Sequence, residues 1–175
     1  MPDLLSDLLL MIRDVPDFPK KGIVFKDITP ILGNPALSKR VSDAFHESWK
    51  DQKLDGVAGI ESRGFIFGMQ LAQQLGLPFI PIRKKGKLPY HTISQKYNLE
   101  YGTSELEVHT DAIKEGQRIL IHDDLLATGG TANAAASLIN KLKGEVAGYS
   151  FLVELSFLAG AADLKNKNIH SLVKY

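Results

Sequence analysis

The chain has 175 residues, 44% of them hydrophobic and 23% charged, with 21 Lys and Arg against 20 Asp and Glu for a net charge of +1. That length fits one domain with a sizeable core, and the composition excludes a disordered chain and any overall field that would draw in nucleic acid. Cysteine is absent, which removes disulfides, thiolate nucleophiles and cysteine-ligated metals.

The chain opens with Leu4, Leu5, Leu8 and Ile12 at helical spacing, the pattern of an amphipathic helix docked by one face. Asp3 and Asp7 stand where a signal peptide needs positive charge, so a cytoplasmic protein without a membrane segment is expected. A turn-rich stretch from Asp14 to Gly22 follows, stiffened by Pro16 and Pro19, and Ile23-Val24-Phe25 reads as a short strand. Asn34-Pro35 marks a helix start, with Leu37, Val41, Ala44, Phe45 and Trp49 along its inner face.

Short apolar runs then alternate with helical patterns. Gly56 to Ile60 is a strand, followed by Glu61-Ser62-Arg63-Gly64 and a helix to Leu75 with Gly76 as its C-cap. Pro78 to Arg83 is a second strand and Arg118 to His122 a third. After a glycine turn come a helix from about Thr131 to Lys143 and a strand from Val146 to Leu155. This order predicts an α/β fold, a central mainly parallel sheet flanked by helices on both faces. Residues 84–109 break the alternation and read as a long irregular lid or binding loop, with only Leu106 and Val108 alternating as in a half-exposed strand. Phe65, Phe67, Met69 and Trp49 read as core, and His122 as a buried, hydrogen-bonded histidine.

The run Ile119-Leu120-Ile121-His122-Asp123-Asp124-Leu125-Leu126-Ala127-Thr128-Gly129-Gly130-Thr131 carries the strongest chemical signal. A buried strand ends in two carboxylates and turns through Ala-Thr-Gly-Gly-Thr into a helix. Glycines let backbone N–H groups approach an anion, the helix N-terminus adds positive potential, and two threonines offer hydroxyl donors. Carboxylates beside a phosphate site repel it unless they bind hydroxyl groups or a hydrated Mg²⁺, and a sugar phosphate satisfies both ends. The spacing is neither that of a nucleoside triphosphatase loop nor that of a dinucleotide fold. Two other readings fail. Ile60 to Gly64 nearly spells a hydrolase nucleophile elbow but lacks its first glycine. The five histidines show no metal-binding spacing.

The segment from Leu120 to Thr131 resembles the signature of type I phosphoribosyltransferases, which hold 5-phosphoribosyl-1-pyrophosphate (PRPP). Its spelling is most similar to the branch of that family acting on adenine. Further matches follow in order: Pro16 to Pro19 with Gly22 to Pro30, Glu61 to Phe65, Arg83 to Pro89, Leu99 to Gly102, and Val153 to Leu155. The resemblance implies a single domain over 1–175, with residues 1–34 as a hood over the base and 84–109 as a flexible lid. It implies that Ala127, Thr128, Gly129, Gly130 and Thr131 hold the ribose 5-phosphate, and Asp123 and Asp124 the ribose hydroxyls. The turn Glu61, Ser62, Arg63, with a cis peptide between Glu61 and Ser62, would hold pyrophosphate together with Lys84 and Lys87. Val24, Phe25, Lys26 and Leu155 would surround adenine, and Glu100 would assist its proton to leave, with Arg63 and Lys87 also catalytic.

Mg²⁺ is the implied cofactor, carried mainly by PRPP and water; adenine, PRPP, AMP and pyrophosphate are the implied partners, and a homodimer the implied assembly. Two alternatives stay open. One is a transferase for hypoxanthine, guanine or xanthine. The other is a non-catalytic PRPP sensor, although neither a basic face nor a helix-turn-helix extension is present for DNA.

Overall fold

A computed structural model describes residues 3–99, 102–164 and 168–175. Its centre is a seven-stranded sheet in the order β5-β6-β4-β3-β7-β8-β9. The strands are β3 (Gly56–Ile60), β4 (Phe79–Lys84), β5 (Thr92–Leu99), β6 (Gly102–His109), β7 (Arg118–Leu126), β8 (Glu145–Glu154) and β9 (Ile169–Lys174). A separate two-stranded ribbon pairs β1 (Arg13–Pro16) with β2 (Val24–Asp27), Val15 opposite Phe25. Helices α1 (Leu4–Met11), α2 (Thr29–Leu32), α3 (Pro35–Trp49), α4 (Gly64–Leu75) and α5 (Gly130–Lys141), with two short 3-10 turns (Ser156–Leu158 and Gly160–Asp163), complete the regular structure of the described residues.

The five adjacent strands β4, β3, β7, β8 and β9 run parallel, with β9 at the sheet edge. They are short apolar runs because both faces are covered. On one face Leu120 and Leu152 meet Val41, Phe45 and Trp49 of α3 and Phe67 and Leu71 of α4. On the other, Ile119, Ile121, Tyr149 and Phe151 meet the alanines of α5 with Leu138 and Ile139. Each large apolar side chain closed off this way contributes about 1.5–3 kcal/mol. Local signals fix the helix ends as expected: Asn34 accepts the Leu37 N–H at 3.1 Å, and Gly76 ends α4 at φ 67°.

Several expectations need correction. The described residues of 84–109 are not one irregular loop: β5 and β6 pair antiparallel, and β6 joins the sheet through Arg83 opposite Glu107. The signal was diluted because, among the described side chains of β5, Ile93 and Tyr97 are those that pack on the core, between polar neighbours. β9 was not foreseen, and β7 runs on through the acidic pair to Leu126. Leu8 of α1 and Ile12 at its C-cap are buried, but Leu5 is 44% exposed and does not join the core. Met69 is 43% exposed and not core. His122 is buried as expected, yet neither ring nitrogen has a hydrogen-bond partner; it packs edge-on against Phe45 at 4.9 Å.

The crossover from β3 to β4 runs through α4 on one face, while that from β7 to β8 runs through α5 on the other. The chain therefore diverges between β3 and β7. Beyond the carboxyl ends of such a pair the two connections leave a crevice, the place where open α/β sheets take their ligands.

Candidate active site

β3 is buried along its whole length and delivers Glu61 to the crevice. The peptide bond from Glu61 to Ser62 is cis, as the resemblance implied. α4 starts directly after, at Gly64, so close to β7 that a Cβ there would lie 2.9 Å from Asp123 Oδ1. Glu61 turns its carboxylate back into the protein: Oε2 accepts from the Lys84 N–H at 2.9 Å and Arg83 Nε at 3.0 Å. Ser62 is exposed and does not line the cleft.

β7 brings the acidic pair to the same crevice. Asp124 is buried and Asp123 half-buried, and Asp123 Oδ1 accepts the Asp124 N–H at 2.8 Å. Desolvation pushes both carboxyls up; the Asp124 charge lifts Asp123 further, while the Arg63 guanidinium pulls Asp124 back down. The free site therefore holds a proton more tightly than two exposed carboxylates would, and groups that donate to these oxygens relieve the desolvation.

The loop from Ala127 turns into α5 at Gly129, whose φ of 83° suits a residue without a Cβ. A Cβ on Gly129 would meet Gly160 O at 2.6 Å, and one on Gly160 would meet Ala127 O at 2.1 Å. Two glycines back to back thus set the loop's shape. The first N–H groups of α5 have no acceptor within the helix, so Gly130, Thr131 and Ala132, which line the cleft, offer donors that could hold an anion with the helix dipole behind them.

The ribbon forms the other wall. Phe25 packs edge-on against Phe18 at 5.1 Å, and Val24 is 49% exposed. Lys26 points its ammonium away, to Asp14 Oδ1 at 2.6 Å and over the Tyr175 ring at 3.8 Å. Its side chain is occupied, which leaves only its backbone to read a ligand. Arg63 lies 4.7 Å over the Phe25 ring, with Nε 2.9 Å from Asp124 Oδ2.

These walls enclose a cleft of about 570 Å³. It brings together Val24, Phe25, Lys26, Glu61, Arg63, Lys84, both aspartates, the whole of Ala127 to Thr131, and Leu155. Lys87 stands outside it on the adjoining turn, and Glu100 lies outside the described residues. Tyr97 and Ser104 of the hairpin, Leu158 and the supporting Gly160 were not singled out from sequence. The tyrosine stands just before the Leu99-Glu100-Tyr101-Gly102 match, and Gly160 lies in the small-residue run Ala159 to Ala162; neither signal is specific by itself.

Comparison with known proteins agrees with this geometry. Residues 27–170 match the family model for the phosphoribosyl transferase domain. An adenine phosphoribosyltransferase of Anaeromyxobacter dehalogenans (strain 2CP-1) is 57% identical over 164 residues, covering 94% of this chain and 95% of that protein. The crystal structure of adenine phosphoribosyltransferase from Thermoanaerobacter pseudethanolicus superposes with a TM-score of 0.95 at 50% identity, over 98% of this chain and 99% of that one. The Saccharomyces cerevisiae enzyme, complexed with an imino-altritol bisphosphate and adenine, superposes at 0.91 with 40% identity, over 98% and 99%.

Proposed function

The chain belongs to the phosphoribosyl transferase family, and on that premise we propose that it transfers the 5-phosphoribosyl group of PRPP to adenine, giving AMP and pyrophosphate. The observation that carries this reading is the crevice itself, where a helix-backed anion cradle, an acidic pair and an aromatic platform meet within one cleft.

Ala127 to Thr131 take the 5-phosphate, and Asp123 and Asp124 accept hydrogen bonds from the ribose hydroxyls. The turn from Glu61 to Arg63 takes pyrophosphate through its backbone and Arg63, because the Glu61 carboxylate is spent on Arg83 and Lys84. Lys84 from the cleft wall and Lys87 from the adjoining turn add positive charge. Adenine lies on Phe25 between the ribbon and Leu155, its edge read by backbone groups of Val24 and Lys26. The ribbon acts as hood and the β5–β6 hairpin as lid, carrying Glu100 for the departing proton.

In the transfer a bond forms from the imidazole nitrogen of adenine to the anomeric carbon as the bond to pyrophosphate oxygen breaks. Pyrophosphate leaves with the electron pair and adenine loses one proton. Cations already aimed at the leaving group lower this barrier, and holding the base beside the carbon supplies proximity. A closed lid keeps water from the activated sugar.

Mg²⁺ fits the donor set. Among the described residues no three His, Asp or Glu side chains form a cage, whereas a hydrated ion riding on PRPP needs only hard oxygens nearby, such as Asp123 and Asp124. When bound it neutralises charge on the pyrophosphate. A homodimer and a cytoplasmic location belong to the same proposal. Leu5, Leu9 and Leu10 leave an apolar face on α1 for association. No described helix is long and apolar enough to cross a membrane. Light scattering at a single-chain mass would remove the dimer, and recovery of the protein in a membrane fraction would remove the location.

The deciding experiment is a panel of bases with Mg²⁺ and PRPP. AMP and pyrophosphate are expected from adenine. Turnover with hypoxanthine or guanine but not adenine would overturn the assignment of the base, and PRPP binding without any turnover would overturn catalysis.

A further inference from the structure

Glu107 lies on β6, outside the cleft lining, and is only 2% exposed. A carboxylate so buried is tolerated where donors surround it, and here two come from one short turn and a third from β5. Oε1 accepts the N–H groups of Lys87 and Leu88, both at 2.8 Å, and Oε2 accepts Thr92 Oγ1 at 3.2 Å. Burial drives its carboxyl up, but the N–H groups of Leu88, Gly86 and Lys87 outweigh that and hold it below the usual carboxylate range. The turn itself closes from Lys87 N–H to Lys84 O at 3.2 Å, with Gly86 at φ 81°.

The same turn is gripped from its other side. Arg83 donates to the Lys87 carbonyl at 2.9 Å, and Arg83 is held by Glu61 Oε2, the first residue of the pyrophosphate turn. The Lys87 peptide groups are therefore pinned on both flanks, by Glu107 at the N–H and by Arg83 at the C=O. A free turn of this length would sample many arrangements, and ordering it on binding would weaken the affinity. Pinning restricts Lys87 to the sweep of its own side chain.

We propose that Glu107 is a positioning residue that fixes the Lys84–Leu88 turn so that the Lys87 ammonium is presented to pyrophosphate. This rests on the phosphoribosyl-transfer reading. The sign of its effect separates positioning from simple electrostatics. A nearby negative charge repels pyrophosphate, so removing it would tighten binding; loss of the clamp weakens it.

The test is a double-mutant cycle on pyrophosphate binding with Mg²⁺, followed by calorimetry on the whole protein, with Glu107→Gln, Lys87→Ala and the pair. Each single variant is expected to weaken pyrophosphate about tenfold. The pair is also expected to lose about tenfold, not a hundredfold, because Glu107 acts through Lys87, and the KM for adenine should stay within twofold. Exchange of the Lys87 and Leu88 amides should quicken in Glu107→Gln. Tighter or unchanged binding in Glu107→Gln, or a hundredfold loss in the pair, overturns the proposal. Should Glu107→Gln not fold, Thr92→Val removes a single donor and is expected to weaken pyrophosphate by a smaller factor; no weakening there overturns it as well. Failure of the wild type to make AMP from adenine would strike the underlying reading, while the binding cycle would still judge the clamp.

Discussion

Arg63 occupies the face of Phe25 and the flank of Asp124, both of which the proposed substrates need. A guanidinium over an aromatic ring gains about 0.5–1 kcal/mol, and Arg63 is also paired with Asp124, so pyrophosphate would have to draw it from both to free the platform. Arg63→Ala is expected to lower kcat about a hundredfold, the size of losing one preorganised donor to a leaving group, in steady-state assays at saturating PRPP. A rate within twofold of wild type would remove Arg63 from the chemistry. His122 behaves differently. Burial lowers its pKa to about 3, so the folded protein keeps it neutral while the unfolded chain takes up a proton below about 6.5. The unfolded state then binds more protons, and stability falls as pH drops from about 6.5 toward 3, by about 1.4 kcal/mol per pH unit. His122→Leu should flatten that part of the profile and unfold at higher denaturant than wild type at pH 5. Identical acid profiles for the two proteins would show that His122 does not titrate on unfolding.

At the scale of elements, the cradle depends on a contact between segments far apart in the chain. The Ala127–Gly129 loop rests on Gly160, where a methyl group would collide with backbone and not with a flexible side chain. Gly160→Ala is expected to displace the loop, raise the KM for PRPP at least tenfold and cost about 1–3 kcal/mol of stability, the range for overpacking. Unchanged PRPP kinetics with an unchanged melting temperature would show that the loop has slack. The hairpin is the second element of consequence. It adds Tyr97 and Ser104 to the cleft and ties itself to α5 through Lys141 Nζ on the Ser94 carbonyl at 2.8 Å. Its β6 strand also supplies Glu107, which links the hairpin to the turn bearing Lys87.

Across the whole molecule, the reversal of connections at β3 and β7 sets two strand ends side by side, so residues from the segments 61–63 and 123–131 line one cleft. The ribbon of β1 and β2 closes that crevice from the N-terminal side. What the sequence determined by itself was local: buried strands as apolar runs, helix ends at Asn34 and Gly76, and the acidic pair ahead of a glycine-led helix. Those features are demanded by backbone geometry and short-range hydrogen bonding, and therefore leave a mark within a few residues. Only the tertiary structure decided that β5 pairs with β6 and that Gly160 backs the Ala127–Gly129 loop. It alone turned the Glu61 carboxylate inward, placed Arg63 on Phe25, and set Glu107 behind Lys87. Each of these depends on which groups, distant in the chain, burial forces into contact, and a carboxylate or glycine carries no sign of its eventual partner until the sheet has been assembled.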